Sequence, residues 1–131
     1  FPQDGVLRRG GVLDLLDAAA TAGAEHVGGL DPAGIDRDPV GQLDGLFGIV
    51  ERRGVGLDIH LHDSGELGAF QVDLICDRAE RVGGARVNIA HGFALSQVDA
   101  ARRADLLARM GRSASPSPPT RAASARWTAS A

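Results

Sequence analysis

Residues 57–62, with the sequence LDIHLH, decide which fold the chain favours. Successive side chains of a β-strand point to opposite faces, so one face of this segment carries only leucine and isoleucine. The other face carries Asp58, His60 and His62. A parallel strand that is buried on both faces is normally apolar throughout. The polar face therefore indicates an interior that holds something polar.

The surrounding sequence repeats a strand and a helix. Extended segments end near residues 3, 29, 62 and 91, about 30 residues apart, with helical patterns between them. The first helical pattern covers residues 12–22, and the second covers 39–54 and starts at Asp38-Pro39. A third begins after Asp63 or Ser64. The fourth begins at Ser96, with Asp99 three residues later, and ends at about Met110. This period predicts parallel β/α units. Together with the polar strand face, it favours part of a (β/α)₈ barrel over an open doubly wound sheet.

The third helical pattern predicts what that helix buries. Leu67, Phe70, Leu74 and Ile75 lie at helical spacing and are expected to form its buried stripe. Cys76 falls in the same pattern and is the only cysteine, so no internal disulfide can form. We expect it to be a buried core residue rather than a reactive thiol.

Length and composition divide the chain in two. Its 131 residues fall short of the roughly 250 residues of a complete barrel. Residues 1–110 hold all 17 acidic residues and are expected to be a partial barrel. Residues 111–131 contain no acidic residue and three prolines, which predicts a disordered tail, either a natural linker or a frameshifted reading of GC-rich DNA. Phe1 stands in place of a start methionine, which favours a segment of a longer reading frame.

Composition also excludes several functions. The net charge is −3 and the basic residues, all arginine, are scattered, so nothing indicates a nucleic-acid partner. No apolar run is long enough for a membrane span and no N-terminal signal is present, so a cytoplasmic location is expected. The absence of lysine excludes Schiff-base chemistry, a carbamylated lysine bridge and a P-loop lysine.

Residues at the strand ends could carry chemistry. Asp58, His60, His62 and Asp63 lie within six residues, and His91 ends the next strand. Imidazole binds zinc or ferrous iron, and a nearby carboxylate can move protons. The alternative is that these are polar residues packed at strand ends. Alternation places His91 on the face opposite Asn88, so His91 reaches the others only if the strand turns there.

Two further features of the sequence are a glycine-rich stretch and His26. The glycine-rich stretch 28–34 lacks the spacing of a nucleotide-binding loop. Its glycines are expected to let the backbone approach a substrate, with Asp31 near the barrel mouth as a substrate-binding residue. His26 is expected at the surface.

Four blocks of the sequence resemble cytosine deaminase and its close amidohydrolase relatives. They read FPQDG at 1–5, GAEHVGG at 23–29, DIHLHD at 58–63 and RVNIAH at 86–91, in the family's order and spacing. The resemblance implies about strands 3 to 6 of a metal-dependent barrel that binds one divalent zinc or iron ion. It also implies hydrolysis of a C–N bond, a deamination, in a small cyclic amidine or amide such as a pyrimidine or triazine.

The resemblance assigns roles to residues. It implies that Gln3 holds the substrate ring, His60 is a metal ligand, Asp63 is the proton shuttle and His91 lies beside the metal-bound water. Cytosine deaminase has glutamate at the position of Asp63 and an acidic residue at the position of His62. These departures point to a relative that acts on another cyclic substrate.

Part of the family's metal site has no counterpart in the sequence. The His-x-His pair of the first strand and the aspartate of the eighth strand are absent from residues 1–131. We therefore expect metal to be bound weakly or not at all, and this chain to lack deaminase activity. The second hypothesis is a non-catalytic truncated product, a half-barrel that self-associates into a homo-oligomer through its strand edges. A third is a small α/β binding module unrelated to amidohydrolases.

Overall fold

The structure, a computed structural model, describes residues 1–113 and the backbone of residues 127–130. Its strands form one parallel sheet in the order β1-β2-β3-β4, so the predicted α/β class with a parallel sheet is confirmed. The strands are β1 His26–Leu30, β2 Gly56–Leu61, β3 Val87–His91 and β4 Trp127–Ser130. The helices are α1 Val12–Thr21, a π-helical turn Pro32–Asp36, α2 Pro39–Arg53, α3 Gly65–Val82, α4 Ala94–Gln97 and α5 Ala100–Ser113.

The predicted starts of α2 and α3 are confirmed, whereas the predicted start at Ser96 is wrong because Ser96 lies within α4. Asp38 caps α2, since its Oδ1 accepts a hydrogen bond of 2.8 Å from the backbone N of Gly41. Gly54 ends α2 with φ 66°, a left-handed conformation that glycine adopts readily. Helix α3 begins directly after Ser64, as predicted.

The apolar face of β2 is buried as the alternation predicts. Leu57, Ile59 and Leu61 are fully buried, and they pack with residues of α2 that are also inaccessible to solvent. The other face of the strand, with Asp58 and His60, is only partly buried. The core therefore lies between the sheet and the helices, and the polar face of β2 points away from the core.

The prediction for the buried face of α3 is wrong at two of its four positions. Leu67 is 51% exposed and Phe70 is 48% exposed. The helix instead buries a face on which small residues such as Gly68 and Ala69 allow close packing on the neighbouring elements. A Cβ added at Gly68 would lie 2.6 Å from the Cβ of Ala94. The buried residues of α3 are Gly68, Ala69, Gln71, Val72, Ile75, Cys76, Arg78 and Ala79.

The prediction for Cys76 is confirmed. Its side chain is buried, and that burial raises the pKa of the thiol to about 11. The thiolate is the reactive form of cysteine, so this shift keeps Cys76 inert near neutral pH.

The first predicted extended segment and the fourth predicted helix differ from the structure. The segment that ends near Gln3 is a turn rather than a strand, with Gly5 N donating to Pro2 O. The fourth helix is two helices, because Val98 is extended with ψ 162°. Asp99 caps the second of them, α5, by accepting a hydrogen bond from the backbone N of Arg102.

The described backbone extends past residue 110, and the predicted division of the chain there stays a prediction. Residues 111–113 continue α5, and Trp127–Ser130 form β4, which pairs in parallel with β3 from Val87 opposite Trp127. The rest of the predicted disordered tail, 114–126 and 131, lies outside the described residues. None of the helices described is both long enough and apolar enough to cross a membrane.

Candidate functional site

The carboxyl ends of β1, β2 and β3 meet at one edge of the sheet. Leu30 pairs with His60, and Leu61 pairs with His91. This register places the residue that follows β1, Asp31, beside the end of β2, and it places His91 beside His62. Segments that are 30 residues apart in sequence therefore form one polar edge.

Five aromatic side chains form a ring cluster at this edge. The ring centroids of Phe1 and His60 lie 3.9 Å apart, and those of His62 and His91 lie 4.2 Å apart. The centroids of His60 and His91 are separated by 5.3 Å. Phe93 closes the other side, 5.7 Å from His91. Because Phe1 and Phe93 are about half exposed, this ring cluster is open to solvent.

His91 joins the ring cluster because the backbone turns at this residue. Its φ is 69°, and Gly92 follows with φ 55°. The backbone N of Gly92 donates to Leu61 O at 3.2 Å, which ties the turn to the end of β2. This is the condition under which the sequence predicted that His91 would reach the other histidines. A left-handed conformation costs a non-glycine residue about 1–2 kcal/mol, so the surrounding contacts must hold it.

Asp31 connects the end of β1 to the end of β2. Its Oδ1 accepts hydrogen bonds from the backbone N of His62 at 2.5 Å and of Asp63 at 3.3 Å. Its Oδ2 lies 3.0 Å from His62 Nδ1. Both carboxylate oxygens therefore contact protein groups, and the role of Asp31 in the described geometry is to orient His62. The predicted substrate contact of Asp31 stays a prediction.

Asp63 is held by a buried glutamine. Gln71 Nε2 donates to Asp63 Oδ2 at 2.8 Å, and Gln71 Oε1 accepts from the backbone N of Ala33 at 2.9 Å. A Cβ added at Gly34 would lie 3.1 Å from Asp63 Oδ1, so the π-helical turn approaches this carboxylate closely. Gln71 thus joins the turn to the end of β2 and fixes one oxygen of Asp63.

The polar face of β2 carries a second carboxylate beside His60. Asp58 Oδ2 lies 3.3 Å from His60 Nε2, and Asp58 Oδ1 accepts from Asn88 Nδ2 at 2.6 Å. The pairing of Asp58 with Asn88 in the sheet brings these side chains together.

The described side chains do not make a metal centre by themselves. No group of three histidine, cysteine, aspartate or glutamate residues among residues 1–113 is arranged to hold a metal ion. His60 Nε2 faces Asp58, and His62 Nδ1 faces Asp31. A catalytic zinc uses about three protein ligands.

Some of the predicted site residues lie in or next to the ring cluster, and others do not. His60 and His91 share the ring cluster, and Asp63 is linked to it through Asp31 and His62. Gln3 is exposed, two residues beyond Phe1 in the turn that begins the chain. His26 is exposed, as predicted, at the opposite end of β1.

The sequence reasoning missed Phe1, Phe93 and Gln71. Gln71 carried a signal, because a glutamine among apolar residues on the inner face of a helix needs a buried polar partner. Phe93 also carried one, since it is an aromatic residue two positions after His91 at a strand end. Phe1 carried no local signal.

No family model matches the sequence. The chain is 42% identical to the N-isopropylammelide isopropylaminohydrolase from Burkholderia multivorans, with a TM-score of 0.83, over 99% of this chain and 37% of that one. It is 33% identical to the uncharacterized protein YahJ of Escherichia coli (strain K12), over 84% of this chain and 24% of the relative. The 5-methylcytosine deaminase from Klebsiella pneumoniae shares the fold, at 23% identity and a TM-score of 0.71, over 86% of this chain and 28% of that one. The chain thus spans about a quarter to two fifths of these proteins.

Proposed function

We propose that this chain, whose sequence and fold resemble those of members of the amidohydrolase superfamily, forms the middle of an active site that hydrolyses a C–N bond in a small cyclic substrate. The reaction is the addition of water to a ring carbon of a triazine or pyrimidine and the departure of the exocyclic amine with a proton. Residues 1–7 would correspond to the end of the third barrel strand, and β1, β2 and β3 to the fourth, fifth and sixth.

The observation that supports the proposal best is the convergence of three histidines at the carboxyl ends of neighbouring parallel strands. Barrel enzymes place their catalytic groups at this end of the strands. His60, His62 and His91 lie there in ring contact, although 31 residues separate the first of them from the last. The 42% identity to the isopropylaminohydrolase of Burkholderia multivorans makes a substituted triazine the best-supported substrate class.

The geometry suggests how the described residues would divide the work. Asp31 Oδ2 lies within hydrogen-bond distance of Nδ1 of His62, which would orient the imidazole and leave Nε2 on the other side of the ring. Asp63 has one oxygen held by Gln71, so its carboxylate is oriented to receive a proton from water and to pass it to the leaving amine. His91 would orient the water and stabilise the charge that develops on the ring nitrogen beside the attacked carbon, and Gln3 would hold the ring edge.

A divalent zinc or iron ion is part of the proposal only for a longer protein. His60 would contribute one ligand, and the described residues do not supply the others. This chain alone is therefore expected to lack turnover. The division at residue 110 likewise stays a proposal, with residues 1–110 as a barrel segment.

A chimera tests the proposed function directly. Residues 1–113 would replace the matching segment of the Burkholderia multivorans enzyme, and release of isopropylamine from N-isopropylammelide would be measured. We expect turnover in the chimera. His60→Ala would remove the proposed metal ligand and Asp63→Asn the proposed proton carrier, so each should lower turnover by about a hundredfold or more. His26→Ala is the matched control, because His26 lies at the other end of β1 and should leave turnover unchanged.

Circular dichroism and light scattering would establish that the chimera is folded. A folded chimera without turnover, or one in which His60→Ala and His26→Ala behave alike, would contradict the proposed function.

A second candidate is self-association without catalysis. In the described sheet β1 pairs only with β2, so its other edge is available for pairing. The molar mass from light scattering would then rise from that of a monomer to that of a dimer as the concentration of the chain increases. A monomer at every concentration would exclude this candidate.

A further inference from the structure

One carboxylate fixes the start of the chain to the turn that follows β1. Asp36 Oδ2 accepts hydrogen bonds from the backbone N of Val6 at 2.9 Å and of Leu7 at 3.1 Å. It also accepts a bond of 2.7 Å from Nε2 of Gln42, a fully buried residue of α2. A single oxygen atom therefore joins the N-terminal segment, the π-helical turn and α2.

The packing around Asp36 leaves no room for adjustment. Asp36 Oδ1 is buried without a hydrogen-bond partner among the described residues, and a Cβ added at Gly5 would lie 2.1 Å from it. Gln42 Oε1 is likewise buried and unpartnered, 2.4 Å from a Cβ added at Gly29. Buried acceptors without donors cost stability, so this arrangement is maintained at an energetic cost.

The segment that Asp36 holds also carries side chains of the candidate site. Val6 is buried next to the carboxylate, and five residues earlier Phe1 contacts the ring of His60. Phe1 also fits against β1, where a Cβ added at Gly28 would lie 3.2 Å from the Cβ of Phe1. This segment is a turn without strand pairing, so hydrogen bonds to Asp36 replace a strand ladder as its anchor.

We propose that Asp36 is a positioning residue that places residues 1–3 at the ring cluster by anchoring the backbone of residues 6 and 7. Asp36 does not touch the histidines and acts through the N-terminal segment. The consequence for Gln3 as a substrate-binding residue rests on the proposed function. The position of Phe1 against His60 does not, and it can be measured in the chain as it stands.

The ring current of Phe1 provides that measurement. A phenyl ring 3.9 Å from the imidazole of His60 changes the chemical shifts of the His60 ring protons. The size of this change is the difference in chemical shift between the unchanged chain and Phe1→Leu in proton–carbon NMR spectra. We expect Asp36→Ala to remove at least half of this difference. Asp36→Asn, which retains one oxygen but lacks the charge, should remove a smaller part of it.

Asp38→Ala is the matched control. It removes another carboxylate two residues away that caps α2, and it should lower stability as the loss of a helix cap generally does. It should leave the His60 shift unchanged, because Asp38 does not hold the N-terminal segment. If Asp36→Ala does not fold, Asp36→Asn decides the matter.

An unchanged His60 shift in a folded Asp36→Ala, or equal losses in the Asp36 and Asp38 variants, would overturn the positioning role. Failure of the chimera would overturn the proposed function while leaving this result intact. The two failures are therefore distinguishable.

Discussion

The edge of the sheet that carries the candidate site and the core beneath it are built in opposite ways. The described non-glycine residues with positive φ are Asp31, Arg37 and His91. Asp31 and His91 lie at or directly after the carboxyl end of a strand, and Arg37 ends the π-helical turn that follows β1. In the core, the inward-facing side chains of β2 and α2 are inaccessible to solvent, and the backbones of both elements are regular. Strained backbone persists only where surrounding contacts maintain it, and it concentrates at functional sites. We infer from this comparison that burial in the core stabilises the fold enough to offset the backbone strain at the edge of the sheet that carries the candidate site.

The largest effect should come from the core. Leu61→Ala removes a fully buried side chain from the last residue of β2, directly beneath the histidines. We expect the free energy of unfolding to fall by about 2–5 kcal/mol, because the cavity left behind cannot be filled without moving close-packed neighbours. Urea denaturation followed by circular dichroism would measure it.

Leu15→Ala is the control for that change, since the side chain of Leu15 is 71% exposed on α1. Its effect should stay within about 0.5 kcal/mol, as for most surface substitutions. Similar losses in both variants would mean that the contrast between the core and the surface is not the source of stability.

The regular half of the molecule could be predicted from the sequence because its signals are local. The Asp38-Pro39 pair marks the start of α2 through a hydrogen bond to a residue only three positions away. The alternation in β2 assigns its two faces without knowledge of the rest of the chain. The prediction for the buried face of α3 failed because that face depends on a contact with another element and not on local sequence. Leu67 and Phe70 are strongly apolar, but the close approach of Gly68 to Ala94 determines which face turns inward.

The site edge could be predicted only in part because its contacts are non-local. His60 and Asp63 were identified from residue type and from resemblance, and His91 from its place at a strand end. The bonds from Asp31 to His62 and from Asp36 to Val6 connect residues about 30 positions apart. Nothing in the spacing alone distinguishes those aspartates from surface charges.

A smaller effect, of opposite sign, should come from the site edge. His91→Gly places at φ 69° a residue that adopts this conformation without strain. We expect the free energy of unfolding to rise by less than the cost of about 1–2 kcal/mol of the left-handed conformation, because the ring contacts with His62 are lost and glycine adds entropy to the unfolded chain. Thermal unfolding monitored by calorimetry would detect the increase.

His26→Gly is the control for that change. His26 lies in β1 with an ordinary backbone conformation, so glycine there should lower stability by roughly 0.5–1 kcal/mol. A loss of stability in both variants would show that His91 is not strained.

The smallest effect should appear far from the site edge, where α1 and α2 meet in an exposed ion pair. Asp17 accepts hydrogen bonds from Arg53 and Arg52, and the Arg53 guanidinium in particular lowers the pKa of the Asp17 carboxyl from 3.8 to about 2. A depressed pKa means that the folded chain binds fewer protons than the unfolded chain between these two values. The stabilising contribution is therefore complete above about pH 4 and is lost as the pH falls to about 2.

Arg53→Gln should raise the pKa of Asp17 back toward 3.8 and flatten this part of the stability profile. Carbon NMR of the Asp17 carboxyl would follow the titration. Arg9→Gln, which removes the partner of the exposed Asp4, should leave that titration unchanged. Because exposed ion pairs are screened by water and salt, the effect on stability should be small. A large effect would mean that the junction of α1 and α2, rather than the buried core, limits the stability on which the site edge depends.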